Sequence, residues 1–326
     1  MFTSLQFNSD ESPSIPLDLY HDITDEDYIQ VWSQSVPGGL PTNQVAPSQS
    51  ELKFTTYTLD SALSFDKRYA SRSRLDVVSK TFTRMAQEIL LKQEKTSASM
   101  IMTALAKAET NTEQHVIRSA QSGRFLLSDL NKLFTKAKRI NTSWTGGTPA
   151  DRRGRGITDI LVSPEIVEEI RGLAYNPINT VGSKTDIAGT DTMRDAIFNS
   201  AGIPEFYGVS IQEYNEMGAG QKWNDVFHVA SNSSATDGTE IEFADNYATG
   251  STTDSVIKST EQILVGVDLS RESMIRAVAT DSESGDEFSL VSDDQFVTRQ
   301  SKIGYYGSLE EGRMIIDDRV LLGLIV

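Results

Sequence analysis

The chain has 326 residues, beyond the size at which one hydrophobic core stops growing, so two compact lobes or one lobe with long extensions are expected. A formal charge of −16 and a pI near 4.7 argue against tight, sequence-independent binding of nucleic acid, whose affinity comes from Lys and Arg neutralising phosphates. The absence of cysteine excludes disulfides, thiolate metal sites, iron–sulfur clusters and Cys nucleophiles together.

Residues 1–27 are polar and acidic, with Pro13, Pro16 and the cluster Asp22, Asp25, Glu26 and Asp27 around a few isolated apolar residues. Such a segment buries too little apolar surface to offset the entropy of ordering it, and a neighbouring subunit is the expected support. The start has no basic segment followed by an apolar core, so export by a cleaved signal is not indicated. No apolar run reaches the roughly 18 residues needed to span a bilayer.

Residues 28–36 (YIQVWSQSV) carry β-branched and aromatic residues at strand spacing, and PGGLPTNQVAPSQS then supplies a loop tip. A second strand-like run follows, with Leu52 and Phe54 on one phase and Tyr57, Leu59, Leu63 and Phe65 on the other. The phase change near Thr56 predicts a bulge or a change of burial. Together the two runs read as a long hairpin.

Ser73 and Asp76 then fit a capping box, and no Gly or Pro appears before Gly123. Leu75, Val78, Phe82, Met85, Ala86 and Ile89 keep helical spacing, which Ala98, Ile101, Met102 and Leu105 resume after the polar stretch KQEKTS. The spacing predicts a helix over 74–108, roughly 50 Å long at 1.5 Å per residue. A shorter helix, SDLNKLFTKAKRI, is predicted next with Ser128 as its cap. Residues 157–162 read as a strand that turns at Ser163 (N-cap) and Pro164 (first helical position) into a helix ending near Gly172. Residues 174–260 are rich in Gly, Asn, Ser, Thr and Asp, with short strands expected at YGVSIQEY and WNDVFHVA. The last stretch returns to strands: ILVGVDLS, EFSLVS, QFVTRQSKIGYY and RMIIDDRVLLGLIV. No fixed-period repeat is present.

Chemistry-bearing patterns are scarce. His21, His115 and His228 are isolated and fit no metal-binding spacing, and there is no GxSxG, GxxxxGK or GxGxxG. Gly154-Arg155-Gly156 and Gly218-Ala219-Gly220 are fragments of such patterns and read as loops. The carboxylate pairs Glu168-Glu169, Asp293-Asp294, Glu310-Glu311 and Asp317-Asp318 are expected in a chain with 46 acidic residues, and read as solvated surface. Lys132, Lys136 and Arg139 recur at helical spacing as one exposed basic face, and Arg152, Arg153 and Arg155 form a second basic segment; either is a candidate contact for a partner or a genome backbone. The sequons at Asn141 and Asn232 carry no weight without a secretion signal. The sequence therefore assigns no catalytic, cofactor-binding or metal-binding residue, no cofactor and no enzymatic activity.

The order of elements resembles the major capsid protein of tailed bacteriophages, an α+β fold of the Hong Kong 97 type. Three stretches carry the resemblance. Residues 52–106 resemble the second strand of that family's extension loop running into its spine helix. Residues 157–173 (ITDILVSPEIVEEIRGL) are similar to the strand and Ser-Pro-initiated helix of its axial domain. Residues 263–278 and 296–326 resemble its closing strands. The resemblance implies an N-terminal arm over 1–27, an extension-loop hairpin over 28–70 and a peripheral domain with the spine helix over 71–119. It implies an axial domain over 120–284, peripheral-domain strands over 285–305 and C-terminal strands over 306–326 returning to the axial domain.

It further implies self-assembly as pentamers and hexamers into an icosahedral head that encloses double-stranded DNA, in a virion assembled in the host cytoplasm. A separate scaffolding protein, a portal and a decoration protein are the implied partners, without a membrane. Lys53 and Lys67 lie low on the hairpin, so the intersubunit Lys–Asn crosslink of some members is not expected. The nearest rival is an encapsulin shell of the same fold. A secreted acidic glycoside hydrolase is the rival from another class, and it fits poorly with 8% aromatic residues and three Trp.

Overall fold

The structure is a computed structural model of the chain and describes residues 1–8, 13–16, 51–68, 75–108, 115–121, 123–140, 156–175, 205–206, 208–233, 243–246, 251–254, 261–270, 273–280, 287–294 and 302–326. The chain divides into two compact units, 1–98 with 272–316 and 99–271 with 317–326. The first hairpin strand, the loop tip, the cap at Ser73 and His21 fall outside the described residues.

In the first unit, β1 (Thr3–Asn8) is followed by two short strands, β2 (Ser14–Pro16) and β3 (Glu51–Lys53), which pair with each other. The long strand β4 (Thr56–Asp66) leads towards helix α1 (Leu75–Ala108), whose 34 residues match the predicted span to within one residue. The predicted phase change is the break between β3 and β4, where Phe54 is buried and its amide bonds to the carbonyl of Pro13 at 3.1 Å.

After the second unit the chain returns as β12 (Met274–Thr280), β13 (Ser289–Asp294) and β14 (Lys302–Ile315), joining β1 and β4 in a five-stranded sheet. β4 pairs antiparallel with residues 302–312 of β14; β13 and β12 share its other edge, and β1 runs parallel outside β12.

The closing strands divide differently from the expectation: β14 runs unbroken through Gly307 and Gly312 and joins KIGYY to RMI, while RMIIDDRVLLGLIV breaks at the short 3-10 turn Asp318–Val320 before a separate strand over Leu321–Ile325. Of the acidic arm, β1 lies on the backbone ladder of the chain's own β12 and β2 pairs with β3. β12 is bonded along residues 311–315 of β14 within the first unit.

The second unit is built on an eight-stranded sheet. Its members, in chain order, are β5 (Val116–Arg118), β6 (Asp159–Val162), β7 (Glu205–Phe206), β8 (Val209–Glu213), β9 (Phe243–Asn246), β10 (Ser251–Asp254), β11 (Ile263–Val267) and β15 (Leu321–Ile325). They are ordered β10-β9-β5-β15-β11-β6-β8-β7. β11 and β15 sit centrally and are buried on both faces, which is why ILVGV and LLGLI read as continuous apolar runs. Leu264, Leu322 and Leu324 meet α2 (Leu127–Ile140) and α3 (Pro164–Tyr175) on one face, through Leu130, Leu133, Ile166 and Ile170. On the other face Leu105 of α1 lies against Gly323, where a Cβ would stand 3.1 Å from it.

Ser163 caps α3 as predicted, its Oγ accepting from the Ile166 amide at 3.3 Å and donating to Gln262 Oε1 at 2.6 Å. That helix runs on to Tyr175, past Gly172. Ser128 is no cap. α2 begins one residue earlier, and buried Asp129 accepts from the Ser119 hydroxyl at 2.8 Å and from Lys132 at 2.9 Å. The strand expected at WNDVFHVA is helix α4 (Lys222–Ser233). Its Trp223 and Phe227 are one helical turn apart and buried, and the Asn224 amide imitates a strand by bonding to the Glu261 carbonyl and the Ile263 amide.

Candidate assembly surface

In the first unit one face of the five-stranded sheet carries the odd-numbered residues of β14 and packs on α1. Alternation places Ile303, Tyr305, Gly307, Leu309, Glu311 and Arg313 there. Phe65, Phe82 and Tyr305 form an aromatic cluster with ring centroids 4.9–6.3 Å apart, fixing the early turns of α1 on β4 and β14. Gly307 leaves room for Phe288, whose ring lies 2.5 Å from where a Cβ would stand.

Further along this face sits a buried charge cluster. Glu311, fully buried, accepts from the Tyr57 hydroxyl (2.8 Å), the Gln93 amide (3.1 Å) and Arg276 Nε (2.8 Å), and Arg313 Nη2 lies 3.2 Å from its Oε1. Arg313 also donates to the carbonyl of Gln93 and the hydroxyl of Ser97. Two cross-strand pairs create this cluster, Tyr57 opposite Glu311 and Arg276 opposite Arg313. Burial, followed by the bond to Glu311, pushes the Tyr57 hydroxyl up to about 12. Glu310-Glu311, expected as solvated surface, is not: Glu310 is half-buried and Glu311 fully buried. Glu311 shares the inward parity of Leu309, a signal the dipeptide reading overlooked.

The opposite face is covered at one end by β2 and β3, through Ile15 and Phe54 against Ile275 and Ala277. At its other end the row Ala62–Tyr306–Val291 is open, with Val291 55% and Tyr306 42% exposed. The Tyr306 hydroxyl is raised by its hydrogen bond to Asp60. Leu290 on β13, Phe288 just before it, and Leu90 and Leu91 on α1 are likewise exposed. Beyond β14, β13 pairs with no strand among the described residues. An open sheet edge with large apolar groups on both faces is a template for association.

No protein-family model and no curated protein matches the sequence. Solved structures do. A chain of the capsid structure of the cyanophage P-SCSP1u superposes with a TM-score of 0.55 at 12% identity, over 99% of this chain and 85% of that one. The chain has a tailed-phage capsid fold. A chain of Microbacterium phage Oxtober96 (TM-score 0.48, 10% identity, 100% of this chain and 88% of that one) and one of the holo-SrpI encapsulin complex from Synechococcus elongatus PCC 7942 (0.47, 11%, 85% and 76%) were also found.

Within this capsid fold the sequence-singled residues scatter. His115 is buried, with Nδ1 2.9 Å from the carbonyl of Leu321, and His228 lies half-buried on α4. Among the described residues no group of His, Asp and Glu is placed to hold a metal ion, and no helix is long and apolar enough to cross a membrane. Glu169 accepts from the Phe125 amide, and Asp317 caps a short 3-10 turn and pairs with Arg319. Lys132 is held by Asp129, and Arg152, Arg153 and Arg155 lie outside the described residues. Gly218 and Gly220 have positive φ and make the turn into α4. An open groove of about 900 Å³ in the second unit is lined by Thr103, Lys107, Lys222, Asp225 and Val229 and gathers no catalytic set.

Proposed function

We propose that this chain is the major capsid protein of a tailed bacteriophage, assembling as pentamers and hexamers into an icosahedral shell around packaged double-stranded DNA. The observation that carries the reading is the likeness to the cyanophage capsid chain over nearly the whole length. The open apolar face of β13 and β14 supports it, since an isolated monomer gains nothing from exposing such a surface. In this reading residues 1–27 are the arm and 28–70 the extension loop; 71–119, with α1 as the spine helix, and the strands over 285–305 form the peripheral domain, and 120–284 with the C-terminal strands over 306–326 form the axial domain. The role is structural and not enzymatic. A separate scaffolding protein, a portal and a decoration protein are the partners, the virion is the location and the host cytoplasm the place of assembly. An acidic wall confines DNA without gripping it.

Sedimentation velocity of the purified chain tests this. Wild-type protein sediments as large particles, and the doubly substituted Val291→Lys, Tyr306→Lys chain, folded by circular dichroism, sediments as small species. A wild-type chain that stays a discrete monomer alone and with its co-expressed genomic neighbours would sink the reading.

A further inference from the structure

The stretch of α1 over 86–100 contains no fully buried side chain; the nearest are Met85 before it and Ile101 after it. Its middle is held to the sheet by polar groups instead: Arg313 donates to the Gln93 carbonyl and the Ser97 hydroxyl, and the Gln93 side chain bonds to Glu311. The carbonyl of Gln93 already serves the helical ladder, and it also accepts from the Ser97 hydroxyl at 2.8 Å and from Arg313 Nη1. One carbonyl has two lone pairs, so three donors compete for it. Next to it the Thr96 hydroxyl bonds back to the Lys92 carbonyl at 2.9 Å. Ser and Thr bonding back one turn loosen a helix, so this turn keeps its geometry only while outside groups hold it.

The edges of the Arg313 guanidinium serve Glu311, Gln93 and Ser97. Its face lies over the ring of Phe2, 5.8 Å from the centroid. Phe2 immediately precedes β1, a strand whose side chains are mostly exposed and which is attached by its parallel ladder to β12 and by Phe7 against the Ile15 and Phe54 cluster. Gln6 reaching Glu287 and the Thr280 hydroxyl donating to the Phe7 carbonyl add little to that hold. β1 is thus an edge strand held on one side only, and the ring just before it shields the cation that supports this turn of α1.

We propose that Arg313 couples the docking of the N-terminal strand to the order of α1 at residues 92–98, so that removal or exchange of the strand loosens the helix there and loosening the helix releases the strand. The coupling is reciprocal because both elements contact one guanidinium. It does not depend on the capsid reading.

Hydrogen–deuterium exchange of the full chain tests it, with all variants compared in the same assembly state. Phe2→Ala speeds exchange in peptides covering 92–98 by about 3- to 10-fold, the range expected for losing a shielded cation–π contact. Leu5→Ala, an exposed residue on the other face of the same strand from Phe2, and peptides from α3 show no change. Arg313→Lys speeds the same peptides, and adding Phe2→Ala to it has no further effect. Unchanged exchange over 92–98 in Phe2→Ala overturns the proposal, as does an equal acceleration by Leu5→Ala or full additivity with Arg313→Lys. Should Arg313→Lys fail to fold, the comparison of Phe2→Ala with Leu5→Ala decides alone.

Discussion

Replacing Glu311 by alanine removes the only carboxylate among the described residues that touches both Arg276 and Arg313. Removing one partner of a buried ion pair costs about 3–5 kcal/mol, because the other charge stays buried without compensation. The Tyr57 hydroxyl and the Gln93 amide lose an acceptor as well, worth about 1–3 kcal/mol for each buried group left unpaired. The four contacts form one network and do not add, and Glu287, 3.9 Å from Arg276, relieves part of the charge. A loss of at least about 3 kcal/mol is expected, within the range for breaking a buried pair. The control is the surface pair Arg84–Glu88 at 3.5 Å, with side chains 79% and 59% exposed, where Glu88→Ala costs only about 0.3–0.5 kcal/mol. Urea unfolding of the unassembled chain, followed by circular dichroism, reads the difference as a midpoint lowered by about 1 M or more for Glu311→Ala. Glu311→Gln, which keeps the volume and one acceptor, falls between the two. A Glu311→Ala midpoint equal to that of Glu88→Ala would refute the claim that this cluster fixes α1 to the sheet.

Tyr57 gives a pH prediction. Its folded value is raised from 10.0 to about 12, so between those values the unfolded chain has released a proton that the folded chain keeps. The unfolded state then binds fewer protons, and stability is lost as pH rises through this window while being fully present below 10. Tyr57→Phe abolishes that component of the alkaline loss, as unfolding followed across the window reports. Gly312→Ala places a Cβ 2.8 Å from the carbonyl oxygen of Thr55, a backbone atom that cannot swing aside, and destabilises by about 1–3 kcal/mol in thermal unfolding. Ser163→Ala removes the cap of α3 and the partner of Gln262, costing about 1–2 kcal/mol in the same assay.

Local signals carried much of this fold. α1 was legible to within one residue because nothing between Ser73 and Gly123 interrupts a helix, and Ser163-Pro164 marked the start of α3 because a hydroxyl cap and a fixed φ act over one turn. α4 was misread because Trp223, Val226, Phe227 and Val229 suit a short strand as well as a helix; the buried set, Trp223 and Phe227 with Val229 exposed, is helical and emerges only against the sheet. The pairing of β1 with β12 joins residues some 270 positions apart, and nothing in TSLQFN names its partner. The Glu311 cluster was hidden for a related reason. Its inward parity with Leu309 was readable, but its four partners come from β4, α1, β12 and β14, and only the register brings them together.

Electron microscopy of particles formed by the chain, expressed alone or with its genomic neighbours, tests the central claim most directly. The account predicts closed icosahedral shells whose reconstructed subunit shows α1 over the five-stranded sheet, with the Val291 and Tyr306 face buried against a neighbouring copy. A discrete monomer under every condition, or shells in which that face is open to solvent, would contradict it.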